Sequence, residues 1–370
     1  MIRIYIDRLT EIQQWYAEQM VPIIVSKSLD PPSSQITSNH RLTDFYQNLQ
    51  LISSDVIRDI LLNSVDVLCE KYVWVLEYIL LCNVTVGYRS FKKKHRGHGM
   101  AYARVTYINQ YLECSFWKES LKEEDMSAVE AGKSWVKLDK VIKRAKQKLD
   151  ILNEIVEQKF NYGFLPEEIR GILVERMNIP ICPYCNRQYI QPVTIDQRKR
   201  YLGDLDHIWP KSSFCLFSLS LWNLTPSCKV CNQIFKKDKS AKLLNPQKQG
   251  FNEDCILTLK YDNVRQMIGL EPPAELQWEI QSQTDKDIRE KLKNNLQTFH
   301  LNEVYKYHRL DAQRTLRRRY QIEHTSYYKK LVKMLPMSDD PWLWYGVSLD
   351  PFKFQDELLS KAIYDIVFHN

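Results

Sequence analysis

Two Cys-x-x-Cys pairs constrain this chain more than any other feature: Cys182-Pro183-Tyr184-Cys185 and Cys228-Lys229-Val230-Cys231. Each such turn brings two thiolates within reach of one tetrahedral ion, and two turns together make a four-sulfur site with zinc–sulfur bonds of ~2.3 Å. The pattern predicts a structural zinc on Cys182, Cys185, Cys228 and Cys231. Residues 186–227 lie between the pairs, a stretch too long for a simple ribbon or finger, so a further piece of structure must fold inside it. The total of nine cysteines is odd, which argues against a disulfide framework and for reduced thiols in a cytoplasmic protein. Cys69, Cys82 and Cys114 stand in apolar or aromatic company and read as core residues, while Cys215 and Cys255 lie outside any pair.

The insert holds Asp204-Leu205-Asp206-His207-Ile208-Trp209-Pro210-Lys211-Ser212, then Leu221-Trp222-Asn223-Leu224-Thr225-Pro226. The second cysteine pair is followed at once by Asn232 and the basic run Phe235-Lys236-Lys237-Asp238-Lys239. These residue types suit phosphodiester hydrolysis, which needs an activated water, a Lewis acid on the phosphate and stabilisation of the leaving oxygen. A histidine titrates near neutrality and can take the proton of the water, the role expected of His207. On an extended strand Asp206 points to the opposite side from His207, whereas Asp204 shares the face of Asp206.

In this order the blocks resemble the HNH (ββα-metal) endonuclease motif in its zinc-braced form, Cys-x-x-Cys, Asp-His-x-x-Pro-x-Ser, Asn-Leu-x-Pro-x-Cys-x-x-Cys-Asn-x-x-x-Lys-x-x-Lys, over residues 182–242. The stretch from Asp206 to Asn232 is also similar to HNH proteins of bacterial antiphage systems of the Septu and retron-associated type. The resemblance implies His207 as the base, Asp206 and Asn232 as oxygen ligands of a catalytic Mg²⁺ or Mn²⁺, and Asn223 as the residue that pins the hairpin loop. Asn at the position of Asn232, where many relatives carry His, favours a hard cation over a softer one. For Asp204 two readings stand, a further ligand or supporting carboxylate, and a solvated strand-end residue. Lys211, Lys236 and Lys239 are candidate phosphate contacts.

The expected fold class is α+β, mainly helical, with a central ββα-metal module flanked by helical regions. The expected division is a helical domain at 1–164, a nuclease module at 165–245 and an α+β region at 246–370. Leu9–Met20, 41–62 and 64–82 carry helical periodicity. A long helix over about 128–160 sets Val141, Ala145, Leu149, Leu152, Val156 and Phe160 along one face. Segments 255–262 and 276–280 alternate as strands, helices follow at 284–334, a Trp-rich loop spans 336–351, and a last helix covers 353–368. Ala131-Gly132-Lys133-Ser134 resembles the end of a nucleotide-binding loop, but Ser127 stands where its glycine should be. Ser127 to Glu130 reads instead as a capping box opening the long helix.

A net charge of +7 leans toward polyanionic partners without requiring them. Two basic segments are candidate DNA contacts: Lys92, Lys93 and Lys94 in a basic loop over 91–100 that also holds His95 and His98, and the helix bearing Lys140, Lys143, Arg144 and Lys148. Both also read as plain solvated faces, and the same two readings, phosphate contact or solvated face, stand for Arg314, Arg317, Arg318 and Arg319. His300, His308 and His324 read as structural. No segment qualifies as a membrane span; Tyr72–Val86 is short and carries Glu77. The N-terminus lacks the apolar run of a secretory signal. The expected function is metal-dependent cleavage of DNA, with a regulatory partner such as an ATPase and an antiphage role implied by analogy. The alternatives are a non-cleaving zinc-braced nucleic-acid binder and an RNA-cleaving nuclease.

Overall fold

Capping side chains and apolar spacing fix the helices of the first third. Asn39 accepts the amides of Arg41 and Leu42, and Ser53 accepts that of Val56, so each opens a helix whose first amides would otherwise go unbonded. In the computed structural model the chain is described over residues 1–95, 101–122, 135–196, 198–238, 242–326, 330, 334 and 344–370, without the side chains of 101, 198 and 199. Helices dominate: α1 (Leu9–Val25), α2 (His40–Gln50), α3 (Ser54–Leu62), α4 (Val65–Lys71), α5 (Val73–His95), α6 (Ala101–Asn109), α7 (Trp135–Phe160) and α8 (Glu167–Met177) precede the strands. Three two-stranded sheets follow, β1 (Pro192–Ile195) with β2 (Arg198–Tyr201), β3 (Asp204–His207) with β4 (Leu224–Ser227), and β5 (Cys255–Lys260) with β6 (Glu275–Ile280). Helices α9 (Lys286–Thr298), α10 (Leu301–Tyr305), α11 (Arg309–His324) and α12 (Ser360–Phe368) complete the ordered elements discussed below.

The chain divides into two compact units. One comprises Thr10–Ile169 and Trp209–Leu224. Its core is built on α7, whose Leu138, Val141, Ala145, Leu149, Leu152, Val156 and Phe160 are all buried and follow the three- and four-residue steps of a single helix face. Tyr78 of α5 donates to Asn153 of α7 at 2.7 Å inside this core. Phe45 of α2 packs against Trp74, Tyr78 and Phe116. Each fully buried side chain of this size contributes about 1.5–3 kcal/mol. The segment Trp209–Leu224 is held by backbone carbonyls that accept from tyrosine and tryptophan: Tyr16 donates to the Leu219 carbonyl at 2.8 Å, and Trp222 donates to that of Leu62.

The other unit comprises Met1–Leu9, Arg170–Ile208 and Thr225–Asn370. Its β5–β6 hairpin is antiparallel, with Cys255 opposite Ile280 and Lys260 opposite Glu275. Cys255, Leu257 and Leu259 alternate inward along β5, and Leu276 and Trp278 along β6, the period-two burial of a hairpin covered on one face. Helix α12 covers it: the buried Asp365 accepts the Leu257 amide at 2.8 Å and pairs with Lys361 one turn away.

Two segments differ from expectation. Phe91–His95 continue α5 and do not form a loop, because the apolar positions of α5 carry the helix into its lysines. The last helix begins at Ser360 rather than 353: Pro351–Lys353 make a single 3-10 turn, and Leu359 takes a left-handed conformation (φ 59°) that breaks continuity. His98, Ser127–Glu130, Ala131–Ser134, Lys239 and residues 336–343 lie outside the described residues. Among the described residues no helix is long and apolar enough to cross a membrane.

Candidate functional site

The first cysteine pair sits in a tight reversal closed by backbone bonds. The Cys182 amide donates to the Gln188 carbonyl at 3.0 Å, the Ile190 amide to that of Pro180 at 2.8 Å, and Ile181 bridges Tyr189. Asn186 takes a left-handed conformation (φ 53°), a turn position that asparagine tolerates better than most residues. The second pair opens a π-helix over Val230–Lys236, in which the Lys237 amide reaches back to the Asn232 carbonyl at 2.8 Å. All four sulfurs are buried and lie within 4.8 Å of one another, with Cys185 and Cys228 at 4.0 Å. A tetrahedral zinc with ~2.3 Å bonds needs sulfurs ~3.8 Å apart, so the donor set fits. The Cys231 amide also points at the Cys228 sulfur at 3.4 Å. Burial pushes the Cys182 thiol up, whereas hydrogen bonds from the other three thiols hold Cys228 down. A bound zinc would stabilise all four thiolates. This cluster is capable of chelating a metal ion and its four sulfurs are consistent with zinc.

Strand β3 runs from this centre into a second cluster. A glycine precedes the strand because β4 passes close: a side-chain carbon at Gly203 would lie 2.5 Å from the Ser227 carbonyl oxygen. Asp204 and Asp206 share one face of β3, and both meet the π-helix. Asp204 accepts from Asn232 at 3.1 Å and from Gln233 at 2.9 Å. Asp206 accepts from the Lys236 ammonium at 2.9 Å and from the Tyr184 hydroxyl at 2.6 Å. Asn232 and Lys236, four residues apart, thus match two carboxylates two residues apart on the strand. Lys236 donates in addition to the His207 carbonyl. Asp204 and Asn232 are half-buried, whereas Asp206 and Lys236 are 3% and 1% exposed. Burial raises the Asp206 carboxyl above its usual range, and the Lys236 ammonium and the Tyr184 hydrogen bond oppose that rise. Burial, and next the Asp206 charge, push the Tyr184 phenol well up, so it stays a donor.

His207 is buried at 8% exposure. Asn223 belongs to the other unit, where it clamps both backbone polar groups of Trp209: its Oδ1 accepts the Trp209 amide at 2.8 Å, and its Nδ2 donates to the Trp209 carbonyl at 3.1 Å. A third bond, to the Phe217 carbonyl at 3.0 Å, completes its hydrogen bonding. Trp209 stands two residues after His207 in the sequence.

Several basic residues take roles other than a free surface charge. Lys236, a candidate phosphate contact from the sequence, is buried against Asp206, which requires a counter-charge inside the fold. Lys92 is bound to both oxygens of Asp139, Arg144 to the Ser120 carbonyl, and Lys148 to Glu119. Lys211 lies over the Tyr162 ring at 4.7 Å. Lys93, Lys94 and Lys143 are exposed. Of the arginines on α11, Arg319 caps carbonyls of α12 and the terminus, Arg318 bonds the Tyr345 carbonyl, and Arg314 pairs with Asp311. His308 is held between Arg187 and Asp311. His300 packs on Phe235, and His324 on Tyr320.

Sequence reasoning missed Tyr184, Asn186 and Gln233. Asn186 is a hub: its Nδ2 donates to the Phe354 and Glu357 carbonyls, and its Oδ1 accepts from Ser360 and Lys361. The signal for it was present, since both cysteine pairs are followed directly by asparagine, at Asn186 and Asn232. No family model, curated protein or solved structure matches this chain.

Proposed function

We propose that the chain is a metal-dependent HNH-type nuclease that hydrolyses phosphodiester bonds in DNA. The observation that carries the reading is the register between β3 and the π-helix: Asp204 and Asp206 on one face of the strand opposite Asn232 and Lys236, with His207 next in the strand and the four thiols closing the two ends. This is the order that the ββα-metal motif requires.

In this reading His207 accepts the proton of the attacking water, and its buried position limits competing bulk water. Asp206 and Asn232, with Asp204 beside them, supply oxygen donors alone, the set that suits Mg²⁺ or Mn²⁺. A carboxylate offers about four lone-pair sites, more than the bonds from Tyr184 and Lys236 fill. The cation, when bound, would polarise the phosphate and stabilise the leaving oxygen. Asn223 pins the Trp209 backbone, in keeping with the loop-pinning role that the resemblance implies. By the same resemblance the products carry 5′-phosphate and 3′-hydroxyl ends. Exposed Lys93, Lys94 and Lys143, with Lys211 and Lys239, are assigned to the phosphate backbone. A regulatory protein partner and an antiphage role follow from the similarity to antiphage nucleases, and reduced thiols suit the cytoplasm.

One observation favours a second reading, a zinc-braced binder without cleavage: Lys236 already neutralises Asp206 without any divalent ion. The two part company in a cleavage assay on plasmid, single-stranded DNA and RNA with Mg²⁺ or Mn²⁺, alone and with proteins encoded beside this one. The nuclease reading expects His207→Ala to slow cleavage by at least ~10²-fold while zinc content and DNA affinity stay near parental. Parental cleavage by His207→Ala would remove the assignment; cleavage of RNA alone would change the substrate.

A further inference from the structure

Tyr184 lies between Cys182 and Cys185, so whatever fixes those sulfurs fixes its backbone. Its ring is fully buried and stacked on Phe299, with centroids 4.4 Å apart and planes 16° from parallel. That stack directs the hydroxyl to Asp206 Oδ2 at 2.6 Å. The opposite oxygen, Oδ1, receives Lys236 at 2.9 Å, and the same ammonium holds the His207 carbonyl. A carboxylate on a strand can ordinarily turn about its last torsion, which is broad. Here each oxygen has its own donor, and the donors come from different anchors, one from the first cysteine pair and one from the helix that begins at the second.

We propose that Tyr184 and Lys236 are positioning residues that lock the Asp206 carboxylate and, through the His207 carbonyl, the strand carrying the proton acceptor. The four-cysteine centre then sets the geometry of the hydrolytic site, beyond closing the fold. The inference rests on the nuclease reading for its catalytic consequence, but the hold itself is a property of β3 and is measured separately.

Tyr184→Phe is the informative variant, since it keeps the ring and the stack and removes the hydroxyl alone. It is made in the full chain with zinc bound and compared with the parent by zinc content, amide hydrogen exchange over Asp204–His207, and steady-state cleavage of duplex DNA. The expected result is parental zinc, faster exchange along β3, an unchanged KM and a kcat lower by about tenfold, the size of one hydrogen bond to a charged group. In an Asp206→Asn background the same change should add little to either readout, because the strut then has no charged target. Lys236→Gln tests the other anchor and should speed exchange along the same strand. Parental exchange over Asp204–His207 in Tyr184→Phe overturns the proposal even if the parent cleaves DNA. Loss of zinc from Tyr184→Phe overturns it too, because the hydroxyl would then serve the knuckle and not the strand. Faster exchange in the variant of a parent that cleaves no nucleic acid keeps the strut and sinks the nuclease reading.

Discussion

Asp206, Lys236 and Tyr184 share a space nearly closed to water, and their energetics are those of a buried ion pair. Such a pair repays its desolvation only when every member finds a partner. Here Asp206 has two donors and Lys236 two acceptors. Removing one member leaves an uncompensated charge, so Lys236→Met should lower stability by about 3–5 kcal/mol. Asp206→Asn combined with Lys236→Met should recover a large part of that loss. Urea denaturation of the parent, the single variant and the double variant measures both; a single variant as stable as the parent would mean that the pair is not formed in solution. At the same scale the four thiols should hold about one zinc per chain by elemental analysis. Cys185→Ser or Cys231→Ser should release it, and freshly purified protein without zinc would defeat the four-cysteine site.

Among the helices, α5 and α7 show how neighbouring lysines part company. Lys92 reaches Asp139 on α7 and so works inside its unit, whereas Lys93 and Lys94 on the same turn are exposed. Phosphate contacts release counterions, so each adds about 0.9 to the slope of log affinity against log salt. Neutralising Lys93 and Lys94 to Gln should reduce that slope by about two for duplex DNA of any sequence. Lys92→Gln should leave the slope alone and act through its ion pair with Asp139. Binding titrations at several salt concentrations separate the two, and equal slopes for parent and the Lys93/Lys94 variant would take this turn out of the DNA path.

For the molecule as a whole, the zinc centre is tied to sequence-distant segments of its own unit. The Ile2 amide donates to the Pro183 carbonyl at 2.8 Å, Tyr305 donates to the Cys185 carbonyl at 2.9 Å, and Asn186 collects the backbone of Phe354 to Lys361. Chelating the zinc should therefore raise amide exchange near Ile2, through 181–190 and 228–236, and at 354–361. The core of α2, α3, α5 and α7 belongs to the other unit and should keep its protection. Exchange followed by mass spectrometry reads this directly, and uniform loss of protection across both units would show that the zinc centre is not local to one of them.

Chemistry that depends on residue type and local spacing was legible in the sequence. Two Cys-x-x-Cys turns dictate a four-sulfur cluster wherever the chain brings them together, and alternating or helical apolar periods placed β5, β6 and the buried face of α7. The resemblance to the zinc-braced motif named Asp206, His207, Asn223 and Asn232; in the structure Asp206 and Asn232 belong to the contact of β3 with the π-helix, while Asn223 clamps Trp209. Tertiary structure alone decided which charges are free. Lys236 and Lys92 look like the lysines beside them, but a carboxylate packed from elsewhere in the fold takes each of them, and no local pattern encodes that meeting. It likewise decided that α5 runs on through Lys92–Lys94, that Tyr184 turns from a spacer between cysteines into a donor to Asp206, and that Asn186 gathers a segment some 170 residues away. Periodicity and ligand spacing act between neighbours in the chain, whereas the pairing of buried polar groups depends on which distant atoms share the same dry space.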